Sequence, residues 1–86
     1  MKVLFKPTFV RQFDKLESVL QEEVEEKIEL LKDKENHKLL KIHKLHGRLA
    51  KWYSFSVNYR IRIIFSYLSK QEIVLLAIGD HEVYDK

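Results

Sequence analysis

Eighty-six residues, 45% hydrophobic and 34% charged with two Gly and one Pro, suit a single small globular domain over residues 1–86 and exclude a disordered chain or two independent cores. There is no cysteine, which excludes a disulfide frame, a thiol nucleophile and a Cys-containing zinc site, and fits a reducing cytoplasm. The net charge of +3 is unevenly spread: residues 32–62 hold nine basic and two acidic groups, a local excess of +7 that favours a polyanionic partner.

The short apolar segment from Lys2 to Lys6 predicts a first strand, stopped by Pro7. It is too short for the apolar stretch of a secretion signal, and no window approaches the roughly 18 apolar residues of a membrane span, so a soluble cytoplasmic protein is expected. Phe9, Phe13 and Leu16 then recur at helical spacing, with Thr8 as the expected cap. Ser18 and Gln21 have the spacing of a capping box and open a second helix whose stripe is Leu20, Val24, Ile28 and Leu31. Glu22, Glu23, Glu25, Glu26 and Glu29 cover its early turns as a solvated face, where negative charge complements the positive helix end. The two helices are expected to form a hairpin.

From Asp33 to Arg48 the periodicity fails, and a Lys- and His-rich loop containing His43 and His46 is expected. The alternation of Tyr53, Phe55, Val57, Tyr59, Ile61, Ile63 and Phe65 with polar residues has a period of two and is too long for one ordinary strand. It predicts a β-hairpin turning near Val57 to Tyr59, with Arg60 and Arg62 on one face of its second strand. Ile73 to Ile78 is continuously apolar, as in a strand buried on both faces, and Gly79 ends it. The predicted order is β-α-α-β-β-β, an α+β domain with a helical hairpin packed on one face of a four-stranded, mainly antiparallel sheet.

Candidate chemistry lies on the other face. Guanidinium groups match phosphate oxygens in a forked geometry, so Arg62 and Arg60 suit an RNA backbone and its transition-state charge. His81, just past the apolar strand, and the distant His43 supply imidazoles for acid–base work, and Tyr84 an aromatic for stacking or orientation. Lys38, Lys41, Lys44, Arg48 and Lys51 are candidate phosphate contacts, and the alternative for Lys38 and Lys41 is ordinary solvation of a helix end and loop. No metal-ligand pattern, glycine-rich phosphate cradle or serine elbow occurs, so no metal and no cofactor are expected.

Taken in order, His43-Lys44-Leu45-His46-Gly47, the Arg62-Ile63-Ile64-Phe65 run and the ending Ile78-Gly79-Asp80-His81 with Tyr84 resemble the RelE/ParE superfamily of bacterial toxins. The resemblance spans nearly the whole chain and is nearest to the YafQ-type mRNA interferases. It implies the toxin half of a type II toxin–antitoxin pair, an endoribonuclease that cleaves mRNA in the ribosomal A site with the RNA's own 2'-hydroxyl as nucleophile. Position by position it implies catalytic roles for His43, Arg62, His81 and Tyr84, with Lys44 and Lys51 supplying positive charge. Ser56 and Arg60 stand where the family's middle histidine and hairpin aspartate fall, which leaves the general base open. The implied partners are a cognate antitoxin, the ribosome and mRNA, with neither a membrane nor a small-molecule cofactor. Two other functions remain open on the same resemblance: a ParE-like poison of DNA gyrase and a non-catalytic relic that only binds antitoxin. His43 and His81 together favour the nuclease, because gyrase binding gives no chemical reason for an acid–base pair.

Overall fold

The computed structural model describes residues 1–49 and 51–80. Its strands are β1 (Lys2–Phe5), β2 (His43–Lys44), β3 (Tyr53–Ser56), β4 (Arg62–Ser69) and β5 (Glu72–Gly79), and its helices α1 (Pro7–Asp14), α2 (Ser18–Leu31) and α3 (His37–Leu40). Across the five-stranded sheet the order is β1-β5-β4-β3-β2. Only β1 runs parallel to its neighbour, with Lys2 to Phe5 beside Glu72 to Leu75, and the other pairs are antiparallel. The expected α+β domain is therefore present with one more strand than predicted and with a short third helix in the segment read as a loop. The extra strand, β2, has two residues, too few to show a period, and it forms by pairing with β3 while Leu45 N–H donates to Trp52 O at 2.9 Å.

Local chemistry explains the helix starts, and two expected caps do not form. Pro7 opens α1 at its first position, where a missing N–H costs nothing, and Lys6 precedes it without a side-chain cap. Thr8 lies inside the helix, where its Oγ1 accepts from Arg11 at 3.3 Å. Ser18 is likewise the first residue of α2 rather than its cap, and Gln21 turns away from the capping box to donate from Nε2 to Phe13 O at 3.0 Å. Phe13 O also accepts from Leu16 N–H at 3.0 Å, so the glutamine adds a second bond to this carbonyl at the end of α1 and ties the two helices together.

Phe9 of α1 and Val24, Ile28 and Leu31 of α2 are buried against Phe55, Ile63, Phe65, Ile73, Leu75 and Ile78 of the sheet. Leu75 and Ile78 are three residues apart, which on a regular strand would send them to opposite faces. Ile64 pairs with Ala77 and Phe65 with Leu75, so Leu76 is an extra residue, and this β-bulge lets both side chains reach the helices. Two residues past the bulge, Ile78 N–H donates to Gln12 Oε1 at 2.8 Å, a link from α1 to the end of β5. Among the described residues no helix is long and apolar enough to cross a membrane.

Candidate functional site

Directly opposed residues on neighbouring antiparallel strands share a face. His43, Ser54, Ile64 and Ala77 therefore form one row across the sheet, and Ser56, Arg62 and Gly79 the next, about 7 Å along the strands. Both rows lie on the face away from Phe55, Ile63 and Phe65. This face was expected to be polar, yet Ile64, Val74 and Ser54 are buried on it, so the polar groups stand on an apolar floor.

Arg62, half-buried at the start of β4, donates from Nη1 to Ser56 Oγ at 2.5 Å. The serine hydroxyl uses one of the guanidinium's five donors and fixes the orientation of the rest. Ser56 also lines a hollow of about 320 Å3 at the sheet edge, shared with His43, Lys41, Leu40 and Lys27 of α2. None of its lining residues is acidic. An imidazole and two ammonium groups lining the hollow, with the Arg62 guanidinium bonded to the serine at its wall, suit a bound phosphodiester.

The backbone that delivers His43 is unusual. Lys41 adopts the left-handed conformation, φ 54° and ψ 53°, the only non-glycine residue with positive φ among those described. For a residue with a Cβ this costs on the order of 1 kcal/mol. It ends α3 abruptly and turns the chain into β2, so that His43 arrives at the sheet edge two residues later. Gly47 (φ 67°) makes the corresponding turn before Arg48, at a position where its lack of a Cβ avoids that strain.

The candidates from sequence separate. His43, Lys41 and Arg62 come together around Ser56. Lys38, Lys44, Arg48 and Lys51 are exposed outside the hollow's lining, and Lys44 pairs with Tyr53 on the helix-facing row. Arg60 does not share a strand face with Arg62. It is exposed in the hairpin turn, because Asn58 Oδ1 accepts from the N–H groups of Arg60 and Ile61, each at 2.8 Å, and holds the chain out of the ladder until Arg62. His81 and Tyr84 lie outside the described residues. Two neighbours were overlooked in the sequence. Ser56 had been noted only as a departure from a family pattern, and Lys27 was hidden among the glutamates of α2, where a lone basic residue was the available signal.

No protein-family profile matches the chain, and no curated protein sequence matches it. Solved structures do. The YoeB/ParE toxin from Agrobacterium tumefaciens is similar with a TM-score of 0.77 at 18% identity, over 94% of this chain and 99% of that one. YafQ from E. coli is similar with a TM-score of 0.75 at 12% identity, over 99% and 98% of the two chains. The archaeal RelE–RelB complex from Pyrococcus horikoshii gives 0.72 at 17% identity, over 92% of each chain.

Proposed function

Starting from a chain with the fold of the RelE/ParE toxins, we propose that it is the toxin of a type II toxin–antitoxin pair and cleaves mRNA on the ribosome. The observation that carries this reading is Arg62 held by Ser56 beside the hollow that contains His43. In the proposed reaction the 2'-hydroxyl of the RNA attacks the adjacent phosphorus and the bond to the 5'-oxygen breaks, leaving a 2',3'-cyclic phosphate and a 5'-hydroxyl. Arg62 binds the non-bridging oxygens, where charge grows in the transition state. His43 takes the 2'-proton, His81 returns a proton to the leaving 5'-oxygen, and Tyr84 orients the neighbouring nucleotide. Lys38, Lys41, Lys44, Arg48, Lys51 and Arg60 hold the RNA backbone through charge.

An antitoxin is the proposed protein partner. Between α1 and α2 lies an open apolar groove of about 540 Å3 lined by Phe5, Phe9, Val10, Phe13 and Ile28, with Asp14, Glu25 and the ion pair of Glu29 with Lys32 at its sides. Phe5 and Val10 remain 48% and 43% exposed, large values for side chains of their type. The groove suits an amphipathic antitoxin helix with an apolar face and basic flanks.

Purified protein added to programmed ribosomes, in parallel with DNA gyrase in a supercoiling assay, tests the main reading. Cleaved transcript ending in a cyclic phosphate is expected; gyrase inhibition with intact transcript would overturn it. His81→Ala should slow single-turnover cleavage by roughly a hundred- to ten-thousandfold, and a wild-type rate would remove that residue from the mechanism.

A further inference from the structure

A second hollow, of about 580 Å3, opens where the chain entering α3 approaches the far end of β4, and the reaction above does not use it. Lys34, His37, Tyr67, Ser69 and Lys70 line it, with no carboxylate among them. By contrast, the groove between α1 and α2 carries three carboxylates, and the cavity beside Met1 and Lys2 includes Asp33 and Glu72.

Its walls are fixed by contacts elsewhere. His37 Nε2 donates to Leu31 O at 2.8 Å and so closes the end of α2. The Tyr67 ring stands edge-on to Tyr53 at 4.9 Å and to Phe65 at 5.5 Å. Burial, and then the neighbouring Tyr53, push its phenol above the ordinary range, so it stays a neutral donor. Ser69 Oγ donates to Glu72 at 3.3 Å and accepts from Gln71 N–H at 3.2 Å, which leaves Lys34 and Lys70 as the groups to meet a ligand. Neither lysine forms an ion pair among the described residues. An immobilised aromatic ring flanked by cations is the arrangement that holds a single-stranded nucleic acid, by stacking a base and neutralising its phosphate, and the carboxylates of Asp33 and Glu72 stand in the adjoining cavity, which shares Lys34 and Ser69.

We propose that this hollow is a second RNA-binding site, in which Lys34 and Lys70 clamp a backbone phosphate and Tyr67 stacks on the adjacent base. The proposal rests on RNA being the substrate, and it adds a contact remote from the bond that is cut. Tyr67 pairs with Ile73 on the helix-facing side, whereas Arg62 pairs with Gly79 on the other. Five residues of strand separate them, about 17 Å, so the RNA held here is several nucleotides from the scissile linkage or belongs to another strand.

The test is fluorescence anisotropy with a labelled 12-nucleotide oligouridylate bearing 2'-methoxy groups, which cannot be cleaved by 2'-hydroxyl attack. The full chain is compared with Lys34→Gln/Lys70→Gln, Tyr67→Leu, Tyr67→Phe and Arg62→Ala, each checked by thermal melting. Lys34→Gln/Lys70→Gln should weaken binding about tenfold and flatten the dependence of log affinity on log salt by roughly 0.7 to 1.4. Tyr67→Leu should cost about tenfold while Tyr67→Phe, which keeps the ring, binds like wild type. If Tyr67→Leu does not fold, the lysine pair decides, since both are exposed. Unchanged affinity and slope in the lysine variant would overturn the site. So would equally tight binding of polyglutamate with the same loss, which would make the hollow a general polyanion patch. Lysine-dependent binding without ribosomal cleavage would sustain the site and sink the nuclease reading; cleavage with lysine-independent binding would do the reverse.

Discussion

The two faces of β4 put opposite demands on one strand. Ile63 and Phe65 face the helices and are wholly buried, while Arg62, one residue away, faces the other side and is only half-buried. At Ile63 and Phe65 the side chain is set by packing, and a change of size is felt at once. On the other side Ile64 and Val74 provide a buried floor, and Arg62 and Ser56 stand on it with their orientation set by one hydrogen bond. The contrast shows how a domain this small can hold a polar side chain in place: its apolar neighbours supply a rigid floor and one hydrogen bond sets its orientation.

Substitutions on the two faces should therefore separate stability from activity. The largest effect is expected for Phe65→Ala, which empties the centre of a ring cluster shared with Tyr53, Phe55 and Tyr67. A loss of about 3–5 kcal/mol in urea unfolding is expected, and a loss below about 1 kcal/mol would mean that this face is not the core. Next is Arg62→Ala, which should lower cleavage about a hundredfold, equivalent to about 3 kcal/mol of transition-state stabilisation, with little change in melting temperature. Arg62→Lys should restore only part of the rate, because an ammonium keeps the charge and loses the fork; full recovery would show that charge alone matters. Ser56→Ala leaves the guanidinium but frees its orientation. It should cost about 1 kcal/mol or less in stability and roughly tenfold in rate, read as kcat at saturating ribosome. The smallest effect sharpens the comparison most. Lys41→Gly relieves the left-handed backbone and should raise stability by about 0.5–1 kcal/mol while slowing cleavage, because a cation leaves the hollow. A destabilised Lys41→Gly chain would mean that the backbone strain is absent.

The helix-facing side was legible in the sequence because a repeating period carries it. Phe9 and Phe13 mark α1, with Leu16 packed just past its end, Val24, Ile28 and Leu31 mark α2, and Phe55, Ile63 and Phe65 mark the hairpin. The site was legible only as residue types. Its assembly depends on lateral register, on which Ser56 meets Arg62 and which residues of a two-residue strand join β3, and no single-chain periodicity encodes that. The bulge at Leu76 escaped notice because no glycine marks it. Arg60 was misplaced for a similar reason: the turn uses the side chain of Asn58 in place of Gly or Pro, so the alternation runs on through residues that have left the sheet.

The parallel pairing of β1 with β5 also bears on how the molecule comes to be folded. Whereas Arg62 faces Gly79 in the ladder of a local hairpin, Lys2 to Phe5 have no partner strand until Glu72 to Leu75 exist. Pairings of such sequence separation are slow to form, because the loop must close before its contacts are gained. During synthesis the first strand is made some seventy residues ahead of its neighbour, so the sheet stays unfinished over that length of chain. Closure of the sheet at its β1 edge is thus a late event of folding, whereas Ser56 and Arg62 meet within the β3–β4 hairpin and need no distant partner.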